Sequence, residues 1–189
     1  VNLTPKVTDA FVNGSWKTIL ICGQKEGGDG YTALDVSSPE PGSVSVLWDT
    51  TVPIVKESWS VPCIVRDRHL DKFIMVVGSG PDSTTHRAYA AAVDLANGST
   101  LWTDLLSTSS GINMANSAQA IDTDFDGYDD FVYVTDLSGH LWRYNLSTNP
   151  WSKQLLFQTS QPIQTSPALS IDQAGRVVKT MALGAYIKE

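Results

Sequence analysis

The stretch Asp122-Thr-Asp-Phe-Asp-Gly-Tyr-Asp-Asp130 carries five aspartates in nine residues and runs straight into the apolar segment Phe-Val-Tyr-Val. Its order, D-x-D-x-D-G-x-x-D, has the ligand spacing of the first nine positions of an EF-hand-type calcium loop. In that register Asp122, Asp124, Asp126 and Asp130 supply carboxylate oxygens and Tyr128 supplies its backbone carbonyl. Gly127 permits the reversal that lets alternate oxygens converge on one point, and Asp129 is expected to point outward. Four carboxylates brought together without a cation would repel one another or shift their pKa values upward. A hard divalent ion removes that conflict, and calcium suits an all-oxygen, flexible cage better than magnesium or zinc. Position twelve is Tyr133 instead of the EF-hand glutamate, and a strand follows instead of a helix. The loop is therefore read as the β-propeller form of the motif.

Other chemistry-bearing residues lack such a register. His69, His86 and His140 lie far apart without metal spacing and read as surface or turn histidines. Gly27 to Gly30 has the glycine content of a phosphate loop but no following lysine, so it reads as a hairpin turn. There is no nucleophile-elbow sequence. Cys22 and Cys63 both sit in apolar strand-like runs, read as two buried free thiols, with a bridge between neighbouring elements as the alternative. The N-x-[ST] sites at Asn2, Asn13, Asn97 and Asn145 mark surface turns.

The elements that must position the aspartate loop are short. Runs rich in β-branched and aromatic residues recur between Gly, Pro, Ser and Asn clusters, which is an all-β signature. They are Trp16 to Gly23, Tyr31 to Val36, Lys72 to Gly80, Ala88 to Leu95, Asp130 to Leu137 and His140 to Leu146. A phrase recurs through them: a strand ending in aspartate, a turn, then a Leu-Trp pair at Leu47-Trp48, Leu101-Trp102 and Leu141-Trp142. The tryptophans are 54 and then 40 residues apart, which brackets one propeller blade and implies loop insertions. Each four-stranded sheet must bury its faces against neighbours, so these tryptophans are expected to pack between blades. Ser160 to Pro167 leads into what reads as another blade. The fold expected over residues 1–189 is thus a β-propeller of about four blades, forming one calcium-binding domain of a longer chain or larger ring.

The chain is 42% hydrophobic and 17% charged over 189 residues, enough to bury a core as one domain. A formal net charge of -7 argues against nucleic acid or an anionic membrane and for cations. No apolar run approaches the roughly 18 to 20 residues of a membrane span, and Val1-Asn-Leu-Thr-Pro lacks the features of a signal peptide. The chain is accordingly expected to be mature, processed or excerpted from something longer.

The order "WKTILICGQKEGGDGYTALDVSSPEP", "VVGSG", "DTDFDGYDDFVYVTDLSGHLWRYNLS", "QPIQTSP" and "LGAYI" resembles the C-terminal β-propeller of the PilY-type type IV pilus tip and biogenesis proteins. The family phrase places D-x-D-x-D-G-x-x-D before Y-x-G-D-L-x-G-N-x-W, matched here by Tyr133, Asp136, Leu137, Gly139 and Trp142. Thr135 stands in place of a glycine, His140 in place of an asparagine, and Leu183-Gly184-Ala185 in place of Gly-Thr-Gly. The resemblance implies a non-enzymatic, secreted protein at the tip of a type IV pilus, contacting minor pilins and a host or abiotic surface. It also implies calcium linked to the balance of extension and retraction. A generic integrin-like calcium propeller of an unrelated secreted protein is the alternative. A quinone-dependent dehydrogenase ranks last, because such an enzyme needs around eight blades and a cofactor cavity.

Overall fold

The computed structural model describes residues 3–40 and 42–180. Three four-stranded antiparallel meanders follow one another. Blade one is β1 (Lys6–Val12), β2 (Ser15–Gly23), β3 (Gly30–Asp35) and β4 (Ser45–Thr51). Blade two is β5 (Cys63–Asp67), β6 (Lys72–Gly78), β7 (Arg87–Asp94) and β8 (Thr100–Thr108). Blade three is β9 (Gln119–Ile121), β10 (Phe131–Thr135), β11 (His140–Asn145) and β12 (Ser152–Gln158). A two-stranded sheet of β13 (Ala168–Ile171) and β14 (Val177–Thr180) begins the fourth. A single 3₁₀ turn at Pro53–Val55 lies between blades one and two.

Local chemistry explains the meanders. Val12 pairs with Ser15, leaving Asn13-Gly14 as a two-residue connection with both φ angles positive, the turn whose twist matches antiparallel strands. The expected hairpin at Gly27 to Gly30 joins β2 to β3. In β6 and β7 nearly every residue from Ile74 to Gly78 and from Ala90 to Asp94 is buried, as expected of central strands covered on both faces.

Two apolar clusters form the seams. Ile19, Ile21, Tyr31, Ala33 and Trp48 of blade one pack with Met75, Val77, Ala91 and Val93 of blade two. Val65, Ile74, Val76, Ala90 and Ala92 of blade two pack with Val132, Val134 and Tyr144 of blade three. The first strands β5, β9 and β13 are neighbours in turn, while β4, β8 and β12 are the last strands of their sheets. Trp48 is 7% exposed and its indole N–H donates to the Leu95 carbonyl at 2.8 Å, which makes it the interblade packing residue expected.

Several expectations change. Trp48 and Trp102 lie on the last strands of their blades, but Trp142 lies on β11, the third strand of blade three. The 40-residue interval therefore reflects a different strand position and not a missing insertion. The repeat is better measured by the first strands, which start at Lys6, Cys63, Gln119 and Ala168. Both thiols are free, with Cys63 buried but Cys22 partly exposed. His140 is not a surface residue: its side chain is 13% exposed and Nδ1 sits 3.0 Å from the fully buried Asp136 carboxylate. Asn13 and Asn97 lie exposed in turns and Asn145 is half-buried at the end of β11, while Asn2 and the Leu183-Gly184-Ala185 segment fall outside the described residues.

Candidate metal centre

The aspartate loop connects β9 to β10, where Phe131 pairs with Ile121 and the Asp130 N–H donates to the Ile121 carbonyl at 2.9 Å. The last ladder bonds of blade three thus pin both ends of the loop. Inside it, carboxylates turn back on the chain. Asp122 accepts from the amides of Phe125 at 2.7 Å and Gly127 at 2.8 Å, Asp124 from Asp126 at 3.2 Å, and Asp126 from Tyr128 at 2.9 Å. Asp130 accepts from the amide and the hydroxyl of Thr123. Such side-chain-to-backbone bonds wind the chain tightly. Gly127 has φ +89°, the left-handed conformation expected at the sixth position, and Phe125 also lies there at 60°.

Asp122, Asp124 and Asp130 each present a carboxylate oxygen, and these three lie within 4.8 Å of one another. The Asp124 carboxyl is raised, first by desolvation and then by the charge of Asp130 and by a hydrogen bond and charge from Asp122, with Arg68 opposing. All donors are hard oxygens, so the group fits a calcium-like ion better than a thiolate- or imidazole-seeking metal.

Asp126 stands apart from those three. Its carboxylate forms an ion pair with Arg68, from the β5–β6 turn of the neighbouring blade. Tyr128, expected to lend its carbonyl, is held by its ring: the Arg66 and Arg68 guanidiniums lie 4.2 Å and 4.8 Å from the ring centroid. Its hydroxyl bonds Arg66 at 3.2 Å and Asp71 at 3.1 Å.

Asp129 does not point outward. Its carboxylate accepts from the Arg66 amide at 2.8 Å, and its own amide donates to the Arg66 carbonyl at 3.1 Å. Arg66 lies on β5, the edge strand of blade two, so Asp129 caps backbone groups that the sheet leaves unpaired. Burial raises the Asp129 carboxyl, the Arg66 amide lowers it, and Asp122 and Asp130 raise it further. An acidic residue at an unassigned loop position carries no sign of a partner in sequence. Arg66-Asp-Arg68 gave no signal either, because over fifty residues separate it from the loop it meets.

The two substituted family positions also have partners. Thr135 Oγ1 donates to the Thr165 carbonyl at 2.8 Å and accepts from Asn116 at 2.9 Å, tying blade three to the segment before β13. His140 shares the Asp136 carboxylate with the Trp142 indole N–H at 2.9 Å and the Ser107 hydroxyl at 2.7 Å, the latter from blade two.

Known proteins share this architecture. The PilY1 beta-propeller domain family model matches residues 1–170. The type IV pilus biogenesis factor PilY1 of Pseudomonas aeruginosa PAO1 is 34% identical over 150 residues, covering 77% of this chain and 13% of that protein. A PilY1 homolog from Xylella fastidiosa Temecula1 is 31% identical over 170 residues, covering 75% of this chain and 10% of its own length. The chain therefore spans a small part of the curated relatives it matches. The crystal structure of the Pseudomonas aeruginosa PilY1 C-terminal domain aligns with a TM-score of 0.81 and 26% identity, over 98% of this chain and 44% of that one. With the family model matching residues 1–170 and relatives over 30% identical across three-quarters of its length, the chain belongs to the PilY1 beta-propeller domain family.

Proposed function

We propose that this propeller binds calcium at the aspartate loop and serves a type IV pilus biogenesis protein at the pilus tip, outside the cell. In this reading it supports pilus assembly and the balance of extension and retraction, through contacts with minor pilins, and adhesion to a host or abiotic surface. The observation that carries the cation reading is the approach of the Asp122, Asp124 and Asp130 carboxylate oxygens to within 4.8 Å of one another. Asp126 completes the set by leaving Arg68, and the Tyr128 carbonyl is the remaining protein ligand. The biogenesis reading draws on the names of the relatives. The chain aligns with 44% of the solved C-terminal domain, which supports its being part of a larger propeller.

Bound calcium would neutralise the converging carboxylates, and no chemical step is assigned to it. Melting curves with millimolar calcium and with chelator test the site. A dissociation constant on the order of micromolar is expected, within the roughly 10⁻⁷ to 10⁻⁵ M sensor range. Calcium at about a hundred times that constant then adds about 2.7 kcal/mol, provided the unfolded chain does not bind it. A parent protein whose melting temperature is indifferent to calcium overturns the assignment.

A further inference from the structure

The seam between blades two and three opens at its rim into a cleft of about 200 Å³, lined by Trp102, Thr103 and Asp104 of β8 and by Tyr144, Pro150 and Trp151 of blade three. An adjoining hollow shares Trp102, Pro150 and Trp151. The aspartate loop is not among the lining residues of either. We infer that this cleft is a binding site for a neutral pyranose sugar.

Trp102 and Trp151 are only partly buried, while Tyr144 is buried behind them. Trp102 and Trp151 meet edge to face, with ring centroids 5.3 Å apart and planes at 76°, and Tyr144 lies 5.4 Å from Trp102. This leaves indole surface toward the cleft, beside polar groups that have no protein partner. Apart from the exposed Trp16, the indole N–H groups of Trp48, Trp59, Trp142 and Trp151 all donate to protein acceptors, whereas among the described residues that of the partly buried Trp102 has none. Asp104 uses only Oδ2, which accepts from the Tyr144 hydroxyl at 2.8 Å and pairs with Lys153 at 2.8 Å, leaving Oδ1 available.

These features select a ligand class. Lys153 already neutralises Asp104, so the cleft offers no uncompensated charge to an ion. A cation would meet the Lys153 ammonium, and an anion would meet the Asp104 carboxylate. What remains is an apolar aromatic surface flanked by one donor and one acceptor, the Trp102 and Asp104 side chains sharing one face of β8, within a volume too small for an extended, drug-sized ligand. A pyranose ring has this complementarity: a face of C–H groups for the indole and equatorial hydroxyls for the Trp102 N–H and the Asp104 oxygen. Trp102 and Asp104 lie on the last strand of blade two, at the opposite sheet edge from β5, so the cleft faces away from the strands that neighbour one another around the axis.

Saturation-transfer NMR and calorimetry with the methyl glycosides of glucose, galactose, mannose and N-acetylglucosamine test the site on the intact chain. At least one glycoside is expected to bind, with transfer to its ring protons. Trp102→Phe keeps an aromatic ring in the seam but removes the free N–H, and should weaken binding at least fivefold. Asp104→Asn keeps an acceptor for Tyr144 and replaces the free acceptor with a donor, with a similar loss, and carries the test alone if Trp102→Phe fails to fold. Trp16→Ala alters an exposed tryptophan outside the cleft and should leave affinity unchanged. Binding to none of the four glycosides, or binding that both cleft variants retain, overturns the proposal.

Discussion

Replacing Asp126 with Ala removes one of the proposed ligands and also the Arg68 ion pair, so its effects with and without cation separate. The calcium-dependent rise in melting temperature should shrink or vanish, while the melt in chelator changes little, because Arg68 is 53% exposed and surface pairs contribute little. Asp129→Ala behaves differently, since it leaves the Arg66 amide without its acceptor. It should lower stability in chelator by about 1 kcal/mol, toward the low end for an unsatisfied donor because the Arg66 amide is only partly buried. Arg68→Gln frees Asp126 from its competitor and should tighten calcium binding several-fold in a titration. Acid sensitivity has a separate residue-level source in Asp82. Burial pushes its carboxyl up, but the Thr85 hydroxyl and the Thr85 and Thr84 amides outweigh it and bring it from 3.8 to about 2. A folded value below the unfolded one gives stabilisation that is complete above the unfolded value and lost as pH falls from about 3.8 toward 2. Asp82→Asn should therefore flatten the acid limb of a stability curve measured over that window.

At the scale of strands, burial determines what the sequence reveals. β6 and β7 are covered on both faces, so Lys72 to Gly80 and Ala88 to Leu95 read as apolar runs and coincide closely with them, while β2, matched by Trp16 to Gly23, buries alternate residues from Ile19 onward. Outer strands give a weaker pattern: β12 is almost wholly exposed, and β9 has only three residues. Their pairing comes from the neighbouring strand and not from their own composition. The aspartate loop was legible because its aspartates are close in sequence, and Gly127 has the conformation that the register requires. Its contacts with Arg66 and Arg68 were not, because they cross a blade seam. The Leu-Trp phrase misled for a related reason, since the same dipeptide occupies fourth strands at Trp48 and Trp102 and a third strand at Trp142. Trp48→Ala tests the seam itself. Losing a 7%-exposed indole and its bond to Leu95 should cost about 3–5 kcal/mol in chemical denaturation.

For the whole molecule, the described residues form three four-stranded blades followed by the two-stranded sheet of β13 and β14. Val7, Phe11 and Trp16 on blade one are 54%, 50% and 64% exposed, beyond what a covered blade face would show. Unpaired sheet edges and apolar surface favour association. The isolated 189-residue chain is therefore expected to elute as oligomers on size exclusion. A monodisperse monomer with one cooperative melt would count against a larger ring.

The Asp129 clasp also makes the seam between blades two and three observable without any ligand. The Arg66 amide belongs to blade two, but its acceptor is a carboxylate of blade three. Most amides in these sheets stay protected until a blade itself unravels, whereas this one loses its partner whenever the two blades part. Its deuterium uptake is thus a counter of seam opening, and comparison with amides deep in β6 separates blades moving apart from blades coming undone.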